Sequence, residues 1–462
     1  MTDLNIQNFN RSARYSVLNK YGKFERVLIH GVKYILTIND HGNFEILRDQ
    51  SLIIENGIIA KLFPKDETKG TVDMNAIDLI YDAEQKGGVM MTPGFFNMHT
   101  HPPMYLLRST LTFTEEDLDL ALKGMAEIEG KMNSEQLYLG ALGDFTEEQK
   151  SGISFSLSHY GVFDEIERAA VECGHWVINC LSAASNSHPK NNPALVAKYL
   201  NGKNHHTTPG VALHYVWKAD PIVLKEIKKL LDSHDTYFTL HVAETEQTIA
   251  RCVDKFGERP IAVLEKYGLL GPRTIMSHCI HLTTDEIKLI KQRRVICVHL
   301  PTSNLLHRSG QFDFKAFHDE NADELITLGT DSVVSKNRLD LLSEALAAKT
   351  THQAHHIVSY EELFDMCTAR PARLLGLKNH GRIAVGFHAD MAFWKIKDRG
   401  LMPYDENKPQ TLLTNLITHG SRSVRDLMIN GQFIISNRYH NLVDESNLLE
   451  KLQAAHMELR KQ

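Results

Sequence analysis

The sequence predicts an α/β protein, a (β/α)8 TIM-type barrel that carries a small discontinuous β-sandwich built from the two ends of the chain. Three observations predict it. The middle of the chain alternates short apolar runs with longer amphipathic ones, the pattern of βα units around a parallel sheet. Eight such apolar runs can be read, and seven of them end in His or Asp. Near each end of the chain an Asn-Gly pair sits between two apolar runs, the strongest short-range hairpin signal.

The elements follow in order. Arg26 to Thr37 alternates loosely between apolar and polar residues, and Asn56-Gly57 divides Ser51–Glu55 from Ile58–Ala60. Val424 to Ile435 repeats the device with Asn430-Gly431. Residues 1–90 and 382–462 are therefore expected to fold together, since chain termini commonly lie close, and residues 91–381 to form the barrel. Pro93-Gly94 marks the break at which the new unit starts. The candidate strands are Phe95–His101, Gly152–His159, Trp176–Leu181, Gly210–His214, Tyr237–His241, Thr274–His278, Val295–His299 and Ile326–Asp331. Helices between them are legible too. Pro221 fits a first helical position, with Val223, Leu224, Ile227, Leu230 and Leu231 on one face, and Thr283 with Glu286 forms a capping box ahead of Ile287, Leu289 and Ile290. A barrel of this kind builds its active site from the C-terminal ends of its strands, which is where the His and Asp residues lie.

Composition excludes several classes. A chain of 462 residues is long for one core and points to a large barrel with additions. A net charge of -6 without basic blocks leaves no electrostatic ground for nucleic acid or an anionic membrane as partner. No apolar run approaches a membrane span and the first 25 residues lack a signal core, so a cytoplasmic location is expected. Six cysteines with no Cys-x-x-Cys argue against a disulfide framework or a structural zinc cluster; they are expected as small buried hydrophobes.

The chemistry starts at His99 and His101. Side chains on a strand alternate faces, so both imidazoles point the same way at the end of Phe95–His101, half of a metal site. With 25 His in the chain, on the order of one or two His-x-His pairs arise by chance, so the pair gains weight only from its partners downstream. His241 ends the fifth strand and is followed by Glu244, His278 ends the sixth, and Asp331 ends the eighth. Three imidazoles and one carboxylate suit a single divalent cation, zinc first, with iron or manganese as alternatives. An open position would hold water, whose pKa the metal lowers towards about 7. Glu244 is the natural general base, and His278 is placed to hold the hydroxide or polarise the substrate.

Taken together, Pro-Gly-Phe-x-Asn-x-His-x-His, Met104–Arg108, His241-Val-Ala-Glu-Thr245, Ser277–Leu282, Pro301-Thr-Ser-Asn-Leu305, Gly329-Thr-Asp331 and the return segment Gly381–Asp390 resemble the amidohydrolase superfamily. The nearest look is to its branch of cytosine-deaminase-like, S-adenosylhomocysteine/methylthioadenosine deaminase-like and triazine-chlorohydrolase-like enzymes. The resemblance runs in order from about residue 27 to 435. It implies His99, His101, His241 and Asp331 as metal ligands, Glu244 as proton shuttle, His278 as the group orienting hydroxide and substrate, and His214 as a substrate contact. It also implies that Asp331 takes the hydroxide proton and helps ammonia depart. No Lys lies on Gly210–His214, where binuclear members place a carboxylated lysine, so one metal is expected. Leu111 to Met132 holds no Trp, a departure from nucleoside-deaminase members.

Other residues have two readings each. His159 and Tyr160 line the barrel mouth as substrate contacts or form a buried hydrogen-bonded pair; Trp217 stacks on a heteroaromatic ring or packs its loop; Arg108 grips an anionic group or makes a structural ion pair. His299 is expected behind the site, His352 to His356 on a solvated helix face, and His205-His206 in an exposed loop. The expectation is a mononuclear zinc-dependent aminohydrolase that replaces an exocyclic amine of a purine-like or related nitrogen heterocycle by metal-hydroxide attack, releasing ammonia. Its partner is a small heterocyclic substrate, and the resemblance implies a homodimer or larger homo-oligomer. The rivals are a hydrolase of the same fold expelling chloride or an alkylamine from a triazine-like ring, and a catalytically silent binding or scaffold homologue.

Overall fold

A computed structural model describes residues 24–108, 118–202, 205–336, 338–420 and 424–461. Two sheets organise them. The first takes strands β1 (Arg26–Ile38), β2 (Phe44–Glu55), β3 (Ile58–Pro64), β4 (Leu79–Asp82) and β5 (Val89–Pro93) from the first part of the chain. The second is eight parallel strands: β6 (Phe95–Thr100), β7 (Ile153–Tyr160), β8 (Trp176–Ser182), β9 (Thr208–Tyr215), β10 (Phe238–Val242), β11 (Thr274–His278), β12 (Ile296–His299) and β13 (Ile326–Leu328). The chain then returns to the first sheet with β14 (Met391–Lys395), β15 (Val424–Ile429), β16 (Gln432–Ser436) and β17 (Tyr439–His440).

In the first sheet the order is β17-β16-β15-β14-β5-β1-β2-β3, with β4 paired to β1. Both Asn-Gly pairs make its hairpin turns, with φ of 50° and 84° at Asn56-Gly57 and 50° and 74° at Asn430-Gly431, the backbone signs a two-residue turn of matching twist requires. The two turns touch. A Cβ on Gly57 would lie 2.5 Å from Asn430 Oδ1, so only glycine fits there. Ala389 ties them, donating its N–H to Gly57 O at 2.8 Å and accepting from Gly431 N–H at 3.1 Å. The expected sandwich is, in hydrogen bonding, one continuous mixed sheet, and residues from both parts of the chain share one core cluster. Tyr81 of β4 faces Phe393 of β14 and Phe433 of β16 across that core, at 4.8 and 5.5 Å, and donates its hydroxyl to Asp426 at 2.7 Å.

The eight expected barrel strands are all present, with ends shifted by a residue or two except at β13, which stops at Leu328 and leaves Asp331 in the turn beyond it. Neighbours pair in sequence order from β6 to β13. Between the last strand and the first, Asp331 N–H donates to His99 O at 3.0 Å, and the Asn97 side chain accepts from Thr330 N–H at 2.9 Å while donating to Thr330 Oγ1 at 2.7 Å. The helix Pro221–Ser233 begins at its proline and buries Leu224, Ile227 and Leu230. The helix Thr284–Arg293 carries the Thr283/Glu286 capping box with both bonds made.

The last helix, Glu445–Leu459, leaves the terminal sheet and packs Leu448, Leu452, Ala455 and Leu459 into the cluster formed with the helix Ser134–Lys150. His456 Nδ1–H donates to Leu106 O at 2.8 Å, so the C-terminal helix braces the turn that follows β6. All six cysteines are buried and free. Among the described residues no helix is long and apolar enough to cross a membrane.

Candidate active site

At the C-terminal ends of the barrel strands, His99 Nε2 lies 3.1 Å from both His101 Nε2 and His241 Nε2, and His101 Nε2 lies 3.4 Å from Asp331 Oδ1. The outer nitrogens set the protonation of the rings. His101 Nδ1–H donates to His159 O at 2.6 Å and His241 Nδ1–H to His214 O at 2.9 Å, so each presents an unprotonated Nε2 inward. His99 Nδ1 is 2.8 Å from Ser277 Oγ, a partner that lets this ring do the same. Bare nitrogen lone pairs this close repel one another unless a cation sits among them. A tetrahedral cation with bonds of about 2.0–2.1 Å separates its ligand atoms by about 3.3 Å, near these three contacts, and the candidate ligand atoms form two trios that share His99: His99, His101 and Asp331, and His99, His159 and His241. Burial, followed by the neighbouring imidazoles, holds His99 and His241 well below the ordinary histidine range.

Asp331 is fixed by three donors: Ser332 N–H at 2.7 Å on Oδ1, and the Ser303 and Ser335 hydroxyls at 2.5 and 3.2 Å on Oδ2. Burial pushes its carboxyl up, but the imidazoles of His101 and His278 and the Ser303 hydroxyl together hold it below the usual carboxylate range. Backbone strain gathers at the same rim. Ala243, His278 and Asp331 have φ of 50°, 71° and 58°, a left-handed conformation costly for residues with a Cβ and typical of functional sites.

Glu244 follows β10 and is buried. Its Oε2 accepts from the Tyr215 hydroxyl, its Oε1 takes the Ser309 hydroxyl at 3.4 Å, and His278 Nε2 lies 3.6 Å from Oε2. His278 Nδ1–H donates to Asn304 Oδ1 at 2.8 Å, leaving Nε2 turned to the site. A cavity of about 470 Å³ opens above these groups.

The remaining expected residues separate into two groups. His159, His214 and Trp217 line the cavity. His159 stacks on His241 with ring centres 4.8 Å apart, one of its ring nitrogens lies within 4.8 Å of ligand nitrogens of His99 and His241, and its Nδ1 has no hydrogen-bond partner among the described residues. It forms no hydrogen-bonded pair with Tyr160. His214 Nδ1 accepts from Lys218 Nζ at 2.8 Å, and burial, then the Lys218 charge, keeps this ring neutral. Trp217 is flanked by the Lys218 and Arg251 cations, 5.6 and 5.0 Å from its ring centre. Arg108 is elsewhere: it pairs with Glu147 at 2.7 Å, stacks on Tyr105, and does not line the cavity.

One expectation fails at a single residue, since Gln353, Ala354 and His355 of the run from His352 to His356 are exposed. His352 is not on a solvated face; it is 2% exposed, with Nε2 3.1 Å from His299 Nε2, and the His299 ring reaches Asn304 at 3.5 Å. A run rich in His and Gln looked soluble, and its sequence held no sign of the buried partner waiting for one of them. Sequence reasoning also passed over Tyr215, Ser277, Ser303 and Ser309. Each is a common residue type whose role comes from a neighbour distant in the chain.

A profile of the amidohydrolase family matches residues 90–434. Over 419 residues the chain is 28% identical to a 5-methylthioadenosine/S-adenosylhomocysteine deaminase of Syntrophomonas wolfei, an alignment covering 86% of this chain and 93% of that protein. Among solved structures, an adenosine deaminase from Xanthomonas campestris with bound zinc superposes with a TM-score of 0.85 at 23% identity, over 94% of this chain and 99% of that one. An atrazine chlorohydrolase from Arthrobacter aurescens complexed with zinc gives 0.82 at 18% identity, over 93% and 100%. The structural likenesses carry the fold, and the profile spans well over half of the sequence. The chain belongs to the amidohydrolase family of hydrolytic enzymes.

Proposed function

We propose that this protein is a metal-dependent aminohydrolase that replaces an exocyclic amine of a purine-like or related nitrogen heterocycle by oxygen and releases ammonia. The observation that carries the reading is the cluster in which His101 and His241 each approach His99 and Asp331 approaches His101, with Glu244 and His278 lining the same cavity. The names of relatives alignable over most of the chain, deaminases of adenine nucleosides, support the same chemistry.

In this reading His99, His101, His241 and Asp331 hold one divalent cation, zinc by its donor set, with iron also accommodated. When bound, the cation lowers the pKa of a water towards about 7 and so makes a nucleophile available at neutral pH. The chain's own residues do the rest. Glu244 moves a proton from the attacking water to the ring nitrogen next to the amine-bearing carbon. His278, its Nδ1–H committed to Asn304, turns Nε2 to the incoming oxygen and orients it. Asp331 takes the second proton of that oxygen and passes it to the leaving amine. The balance is amidine plus water to cyclic amide plus ammonia. His159, His214 and Trp217 line the space for the heterocycle. The barrel, residues 91–381, is the catalytic unit, with 1–90 and 382–462 as accessory domain. A cytoplasmic setting and a homodimeric or larger assembly complete the reading.

The test pairs elemental analysis with an ammonia-release screen over purines, pterins, pyrimidines, nucleosides and guanidino compounds, with chloride release from a chlorotriazine as control. Glu244→Gln is expected to keep its metal and lose turnover by about 100-fold or more. A Gln variant within a few fold of the parent would remove Glu244 from this role. Chloride in place of ammonia would replace the aminohydrolase by a dehalogenating hydrolase.

A further inference from the structure

We infer that Tyr215 is a positioning residue, a rigid prop that holds the Glu244 carboxylate in the attitude from which it moves protons. The inference rests on the reading of Glu244 as proton carrier.

Alternation along a strand would send Tyr215 to the face opposite His214. The register prevents that. In β9 against β10, Leu213 pairs with Leu240 but Tyr215 pairs with His241, so His214 is an extra residue in its strand. A bulge of this kind re-aims side chains and bends the strand, and here it lets two consecutive rings lean into the barrel mouth. The Tyr215 ring is buried and stacked with two neighbours. His214 stacks on it with centres 4.5 Å apart and planes 19° from parallel, and Trp217 stacks with centres 5.6 Å apart and planes 15° from parallel. The ring borders the cavity, and it cannot swing without unstacking a neighbour.

The Tyr215 hydroxyl donates to Glu244 Oε2. Among the described residues the second carboxylate oxygen has the longer contact to Ser309. Glu244 is thereby held through Oε2, the oxygen that also faces His278 Nε2 at 3.6 Å, on a stacked support. A glutamate left to its own three side-chain torsions would sample several attitudes; misplacement of a reacting group by about 1 Å costs on the order of 100-fold in rate. The support also couples the substrate pocket to the chemistry, because the Trp217 indole that clamps Tyr215 lines the same cavity.

Tyr215→Phe keeps the ring and its two stacking partners and deletes only the hydroxyl. In the metal-loaded enzyme, with whichever compound of the screen is turned over, the variant is expected to lose about 10–100-fold in kcat with KM within threefold. Metal content and thermal midpoint are expected to stay at parental values. A second readout needs no substrate: the infrared difference between parent and Glu244→Gln isolates the Glu244 carboxylate stretch, and this band is expected to shift when the same difference is taken in the Tyr215→Phe background. A kcat within threefold of the parent, or an unshifted band, would overturn the inference, as would a fall in kcat matched by loss of metal or of thermal stability. The two failures are distinguishable. Activity retained in Glu244→Gln defeats the proton-carrier reading and this inference with it, whereas an inactive Glu244→Gln beside a normal Tyr215→Phe defeats this inference alone.

Discussion

The Ser303 hydroxyl reaches Asp331 Oδ2 at 2.5 Å, closer than any other donor to that carboxylate, and Ser335 and the Ser332 N–H complete its surroundings. These bonds leave Oδ1 directed to His101 Nε2, the position from which it joins the three imidazoles. Removing an outer partner of a metal-binding group commonly costs 10–100-fold in metal affinity, because the ligand regains rotational freedom and loses charge. Ser303→Ala is therefore expected to weaken zinc binding by about 10–100-fold in a chelator competition, with the far-ultraviolet circular dichroism unchanged. Parental affinity would detach Ser303 from the site. The clustered side chains could be read in the sequence because the strand period puts His99 and His101 on one face and His241 and Asp331 follow apolar runs. Their supports could not. Ser303 and Ser277 are ordinary residues made important only by side chains 28 and 178 positions away. Arg108 shows the same limit from the other side, its acid partner Glu147 lying on a helix the sequence does not connect to it.

Among the elements, hairpins and helix caps could be read because their determinants are local: Asn-Gly sets two positive φ angles, and Thr283 needs Glu286 only three residues on. The bulge in β9 could not, since it is a mismatch between two strands. Nor could the C-terminal strap, which is held at its start by His440. That ring is buried; Nδ1 accepts from Leu442 and Val443 N–H at 3.1 and 3.0 Å, and Nε2–H donates to Gln149 Oε1 at 2.8 Å. Burial, then the charges of Lys150 and His175, pushes it down to about 3 from 6.5. The folded form thus binds fewer protons than the unfolded form between these values. Its contribution is intact above pH 6.5 and is lost as pH falls towards 3. At pH 4.5 the loss is about 3 kcal/mol, two pH units at about 1.4 kcal/mol each. Hydrogen exchange in the helix Glu445–Leu459 is expected to speed up on acidification through this window, and His440→Gln, which cannot take the proton, to flatten the response. Equal acceleration in both proteins would place the acid-sensitive group elsewhere.

At the scale of the molecule, the groups that converge on the candidate metal position come from β6, from β10 and from the turn after β13, the first and last strands of the barrel among them. A cation bound there would close the ring between β13 and β6, where the backbone contributes a bond from Asp331 N–H to His99 O and the Asn97 side chain adds its clasp to Thr330. The terminal sheet shares in that closure. β5 runs into β6 through Gly94, and Phe95 packs on Trp394 of β14 with ring centres 5.8 Å apart, so barrel and sheet draw on a common core. A ligand that binds only the folded state at a thousandfold excess over its Kd adds about 4 kcal/mol of stability. Stripping the metal with a chelator is therefore expected to abolish ammonia release and lower the thermal midpoint by on the order of 5 °C, with zinc restoring both. Because the core is shared, circular dichroism and Trp fluorescence should shift together in the stripped protein. Two separated transitions would mean that the terminal sheet does not depend on barrel closure, and an unchanged midpoint would mean that the converging imidazoles hold no ion that matters to the fold.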